Sequence, residues 1–151
     1  MRVAPRVLLI VLLFAAGAVE AVPLPRTTLS IDTAKGPATF KVEVANDHAS
    51  QERGLMFRKS LAPNAGMLFD FHTTVMTSFW MKNTLIPLDI IFIRQDGVIS
   101  SIAGNAVPMS EASIPSSEPV RAVLEIAGGR AKQLGIEPGD KVRAAIFASA
   151  R

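Results

Sequence analysis

Hydrophobic and polar positions alternate strictly over residues 39–44, where Phe40, Val42 and Val44 share one face and Thr39, Lys41 and Glu43 the other. Successive side chains of an extended chain point to opposite faces, so this period of two predicts a half-buried strand, entered from the Gly36-Pro37 turn. Residues 67–71 continue an extended pattern after a turn over residues 62–66. Residues 88–94 and 98–103 are two β-rich runs flanking Gln95, Asp96 and Gly97, and Asp-Gly between such runs predicts a tight hairpin. Residues 121–126 and 141–148 read as further strands. A short helix is expected after a cap at Asn46 or Asp47, closed by Gly54, with residues 55–57 returning to the core; a second is expected over residues 128–134. Many short strands with turn signals and two short helices predict a mainly β (α+β) fold, a compact antiparallel sandwich or barrel-like single domain. Residues 108–119, with four serines, two acids and no periodicity, form a loop long enough to serve as a lid.

The N-terminus follows a different pattern. Arg2 and Arg6 precede an uncharged run from residue 7 to 19 and short residues up to Ala21, which predicts a secretory signal peptide over residues 1–21. The run is shorter than the about 20 residues a membrane span needs, so an exported, periplasmic or extracellular domain without stable membrane insertion is expected. Residues 22–28 read as an extended lead-in and residues 29–151 as the single domain. The chain has no cysteine, which excludes a disulfide framework and lipid attachment through a thiol. Its formal charge of +3 is spread among well-mixed acids and bases, and it contains no tyrosine, so a nucleic-acid partner is not expected.

Residues 79–89 concentrate the chemistry. They contain the only tryptophan, Trp80, beside Met81, Lys82, Asn83, Thr84 and Asp89. If Phe79 and Met81 turn inward, Trp80 shares the outer side with Lys82, whose charge resists burial. A half-open indole next to amide and hydroxyl groups suits a flat ligand with polar edges. Trp80 is therefore expected as a stacking floor, Asn83, Thr84 and Asp89 as polar selectors, Arg53 and Glu125 as a charged clamp, and Met56 and Met81 as the apolar side. A small molecule such as a saccharide is the expected partner, without a cofactor.

Other chemistry is less well supported. No serine lies in a nucleophile-elbow sequence, and His48 and His72 read as surface residues. Asp70, Asp89 and Glu125 lie in or beside apolar runs, where burial raises a carboxyl pKa, so an acid/base enzyme using Asp89 or Glu125 is one alternative. In the commoner arrangement such an acid is paired, as Glu125 would be with Arg53 or Arg121. Met56, Met67, Met76, Met81 and Met109 with His72 offer soft ligands for cuprous copper, although methionines at apolar positions usually fill cores. Gly128, Gly129 and Arg130 at a helix start offer an anion cradle or a plain tight turn. A protein-interaction surface anchored by Trp80 is a further alternative.

Five segments occur together and in order: Glu52-Arg53-Gly54-Leu55-Met56-Phe57-Arg58, Gly66-Met67-Leu68-Phe69, Phe79-Trp80-Met81-Lys82-Asn83-Thr84, Pro87-Leu88-Asp89 and Val123-Leu124-Glu125. In these the chain resembles the domain of unknown function 192, from about residue 40 to 147. The resemblance implies a compact β-rich fold, usually a lone domain and often behind an export signal, with no established activity.

Overall fold

Nine strands and two short helices form as residues of alternating or continuous apolar character find a shared sheet. The structure, a computed structural model, describes residues 23–148; the expected signal peptide lies outside them. The first strand, β1 (Arg26–Thr33), starts three residues before the expected domain boundary and turns into β2 (Gly36–Ala45). Helix α1 (His48–Arg53) follows, capped by Asp47, whose side chain accepts the Ser50 N–H at 2.9 Å. After β3 (Ala65–Val75) and the two-residue β4 (Ser78–Phe79) come β5 (Leu88–Ile93) and β6 (Ile99–Ala106), which form the expected hairpin. The chain ends through β7 (Ile114–Pro115), β8 (Val120–Ala127), α2 (Arg130–Leu134) and β9 (Lys141–Arg143).

Seven strands make one sheet in the order β6-β5-β8-β3-β2-β1-β9. Neighbours are antiparallel except β2 and β3, which run parallel. A parallel pair needs a crossover of a dozen or more residues, and the segment containing α1 supplies it. The sheet curls until its two edges touch: the Ile99 N–H donates to the Asp140 carbonyl at 2.9 Å and the Val142 N–H to the Gly97 carbonyl at 2.8 Å. The result is a half-barrel, mainly β as expected.

The central strands are covered on both faces, which is why β5 and β8 read as nearly unbroken apolar runs rather than alternating ones. Leu68, Ile91, Ala122, Leu124 and Ile126 face the inside of the curl, with Leu29, Phe40 and Val142. Met67, Phe69, Ile90, Phe92 and Val123 face the other way and pack with Leu55, Met81 and partly buried Phe79. Glu125 is one residue from Leu124 and two from Val123, so it belongs to this second face.

Several boundaries differ from expectation. The alternation of β2 slips at its end, so that Ala45 is buried and Val44 only partly. Phe57 does not return to the core: it is 58% exposed, at φ 63°, where its N–H reaches the Asn83 carbonyl at 2.8 Å. The last strand stops at Arg143 and gives way to a 3₁₀ turn, Ala145–Phe147, which buries Phe147. The loop at residues 108–119 contains β7, paired with β4, and its Ser110 carbonyl accepts the Met81 N–H at 2.8 Å.

Candidate functional site

The second face of the sheet is roofed by α1 and by the chain around Trp80, and between roof and sheet lies a cavity of about 630 Å³. Its roof is positioned by backbone. Gln51 Nε2 donates to the carbonyls of Ala45 and Asp70, at 3.2 and 2.8 Å, which fastens α1 to the end of β2 and the middle of β3. The Thr84 carbonyl accepts the Met109 N–H at 3.0 Å, so the loop of residues 108–119 braces the Trp80 segment. No residue of that loop lines the cavity, and the expected lid is instead a buttress.

Glu125 forms part of the floor. It is 5% exposed, and its strand partners are Met67 on β3 and Ile90 on β5, neither able to donate from its side chain. Among the described residues no cation pairs with it, and burial alone pushes its carboxyl up to about 8. The expected pairing with Arg53 or Arg121 is absent. Arg121 is instead engaged by Asp70. Burial pushes Asp70 up, but the Arg121 guanidinium, the His72 N–H at 2.8 Å and the His72 ring more than offset it, and the carboxyl stays below its usual range.

Aromatic rings form the walls. Phe69 and Phe79 meet edge to face with centroids 5.0 Å apart, and Phe71 and Trp80 also line the space. Trp80 is 47% exposed, and Lys82 Nζ lies 4.9 Å from its ring centroid, so the lysine covers one indole face at the mouth. Arg53 is exposed at the end of α1 with no carboxylate partner among the described residues. His48 Nε2 and Glu52 Oε1, 3.4 Å apart on the same helix, complete the mouth.

Of the eight expected ligand-binding residues, the structure brings Arg53, Met56, Trp80, Thr84 and Glu125 to this cavity. Met81, Asn83 and Asp89 do not line it. Met81 fills the core beneath the roof. Asn83, at φ 54°, shapes the chain for Phe57 and points its amide at the Met56 sulfur, 3.9 Å away. Asp89 accepts three backbone N–H groups, from Asn105, Gly129 and Ala131 at 2.7, 2.8 and 2.7 Å. That carboxylate occupies the amides at the start of α2, so the expected anion cradle at Gly128 and Gly129 is already filled from within the chain.

The methionines considered for copper are dispersed: Met67 and Met81 are buried in the core, whereas Met76 and Met109 are on the surface. Among the described residues no group of three or more His, Asp or Glu side chains is placed to hold a metal ion. Phe79 and Lys82 belong to the stretch expected as the wall; the lining residues that sequence reasoning missed include His48, Gln51, Glu52, Phe69 and Phe71. A helical spacing of three to four residues puts His48 and Glu52 on the face of α1 that leads to Leu55, and that period was the signal available.

The uncharacterised family described as "Uncharacterized ACR", domain of unknown function 192, matches residues 29–144. The chain belongs to this family. Among solved structures, a protein of Sinorhizobium meliloti 1021 described as a candidate transcription regulator is 46% identical, with a TM-score of 0.81, over 83% of this chain and 98% of that one. A protein of unknown function from Novosphingobium aromaticivorans is 43% identical, with a TM-score of 0.79, over 83% of this chain and 94% of that one. None of the curated proteins compared matches. The family match spans every element lining the cavity, from α1 to β8.

Proposed function

We propose that the domain is an exported binding module for a small envelope-derived molecule, held in the cavity between β8 and α1 with a flat part against Trp80 and a polar end at Glu125. The observation that carries this reading is the Glu125 carboxyl, on a buried residue yet open to the cavity, without a hydrogen-bond or ion-pair partner among the described residues, at the base of an aromatic-walled space. A buried polar group ordinarily has a partner, and one left open to a cavity is accounted for by a ligand that supplies it. Export rests on the sequence of residues 1–21. A protein-interaction anchor at Trp80 is disfavoured, because the indole borders a concavity rather than a flat apolar patch. The regulator description of the S. meliloti relative gains no support from the helices here, which have six and five residues, too short for a recognition helix and its partner.

Trp80 is the only tryptophan, so its emission reports this site alone. Titrating the protein with envelope saccharides and amino acids should give a saturable shift with at least one class, and Trp80→Ala should abolish that binding without unfolding the domain. Silence across the panel, or unchanged affinity in the variant by calorimetry, would remove the reading.

One observation favours a second function. A carboxyl raised to about 8 is protonated near neutrality and suited to general acid catalysis, with Glu125 in that role. Asp89, the other expected acid, is tied to three amides and is not available. An enzyme of this kind loses turnover in Glu125→Gln; turnover that survives the change dismisses it.

A further inference from the structure

The charged groups of the cavity stand at its two ends: one acid on the floor, and two cations with one acid, Glu52, at the mouth. At the floor stands one acid, Glu125, whose neighbours on β3 and β5 are Met67 and Ile90 and which no donor or cation satisfies among the described residues. At the mouth stand two cations, Arg53 and Lys82, neither paired with a carboxylate among the described residues, while Glu52 is engaged by His48. The rings of Phe71, Phe79 and Trp80 line the same cavity.

We propose that the ligand is a zwitterionic amine of the amino-acid class, its ammonium group paired with the Glu125 carboxylate on the floor and its anionic group held at the mouth by Arg53 and Lys82. The inference rests on the binding-module reading and names its ligand class. A simple carboxylic acid brings no ammonium group to the floor and could meet Glu125 only by accepting a hydrogen bond from its protonated carboxyl, which leaves the proton in place. A neutral polyol would make hydrogen bonds at the floor but leave both mouth cations unused. An ammonium group supplies the partner that Glu125 lacks among the described residues, and aromatic faces attract it further.

The arrangement couples binding to a proton. In the empty site burial keeps Glu125 protonated up to about pH 8. The ammonium group favours the ionised carboxylate, so binding below that pH expels a proton from Glu125 to solvent. Affinity therefore rises with pH, approaching tenfold per unit, and levels off near pH 8. The other charged groups that line the cavity are His48, Glu52 and Arg53 from α1 and Lys82 from the Trp80 segment, none of which offsets the burial of Glu125; β3 and β5 contribute none beside it.

The test is isothermal calorimetry on the intact protein with amino acids from glycine to phenylalanine, their decarboxylated amines and their deaminated acids. At least one amino acid should bind, at least tenfold more tightly than its deaminated acid and several-fold more tightly than its amine. At pH 6.5 the binding enthalpy should vary with buffer ionisation, revealing proton release. Glu125→Gln should erase both the release and the preference for the amine, and Arg53→Ala should weaken the amino acid but not its decarboxylated amine. Equal binding of the deaminated acid, or amine binding without proton release, overturns the ligand class. So does failure of the whole series while a saccharide shifts Trp80 emission, which leaves the cavity reading standing. Failure of every compound to bind removes both.

Discussion

Asp89 on β5 and Ala131 in α2 are joined by a 2.7 Å hydrogen bond, the Ala131 N–H donating to Oδ2, while Oδ1 takes the N–H groups of Gly129 and Asn105. One carboxylate thus ties β5, the approach to α2 and β6 together. Asp89→Ala strands the buried Ala131 amide and the part-buried amides of Asn105 and Gly129, and should lower stability by about 3 kcal/mol in urea denaturation. Asp89→Asn should lose less. Full stability combined with lost ligand binding would return Asp89 to the binding site.

Arg121 and Asp70 make a different bond between β8 and β3, with both partners buried. Arg121→Met leaves the Asp70 carboxylate without its main counter-charge and should cost roughly 3–5 kcal/mol at pH 7. The pH dependence has a definite sign. Because Asp70 is held below its ordinary value in the folded protein, the pair's contribution is present above the unfolded value, about 3.9, and lost as pH falls through the folded one. Denaturation at pH 7 and at pH 2.5, below the unfolded value, should show the gap between wild type and Arg121→Met narrowing at the acid end.

Glu125 has the opposite sign. Its carboxyl is raised from 4.5 to about 8, so the folded state binds the proton more tightly and stability falls as pH climbs through that window. Integrated across it, the loss is roughly 4 kcal/mol. Glu125→Gln keeps the shape without the charge, and its melting temperature should match wild type near pH 4.5 and exceed it by several degrees at pH 8.5. A saturating zwitterionic amine should restore part of the wild-type loss.

Gly66 on β3 approaches β8 so closely that an added Cβ would lie 2.5 Å from the Glu125 carbonyl oxygen and 3.1 Å from Ile126 Cγ2. Gly66→Ala must push β8 outward, at a cost of about 1–3 kcal/mol. Because the displaced residue is the cavity floor, Trp80 emission and ligand affinity should change with it. A variant that melts lower yet binds normally would show that the floor tolerates displacement of its strand.

Much of the fold was legible because local signals agreed with the tertiary arrangement: the Asp96-Gly97 hairpin, the Asp47 cap, and the alternation at Phe40 and Val42. What was not legible lay where one residue answers to two faces or to a distant partner. Val44 follows the alternation, yet Ala45 is buried where β2 runs into the crossover. Phe57 is apolar, yet its N–H is claimed by the Asn83 carbonyl, which holds its ring in solvent. For the cavity, the motif residues Arg53, Met56, Trp80, Thr84 and Glu125 were within reach of sequence because chemistry and apolar setting coincide at each. Asp89 was misread for the same reason: an acid in an apolar run serves equally as a ligand group or an internal cap, and only the position of α2 distinguishes them.

The pairing of β1 with β9 also governs when the domain can finish folding. Asp32 and Arg143, whose side chains meet at 2.8 Å, are 111 residues apart, and the two edges of the curl are stitched through Gly97, Ile99, Asp140 and Val142. Contacts this distant in sequence carry a loop-closure entropy that local pieces do not recover, which makes the last closure the slow one. A chain emerging N-terminus first, from a ribosome or across a membrane, therefore keeps its β1 edge open until residue 143 has been delivered.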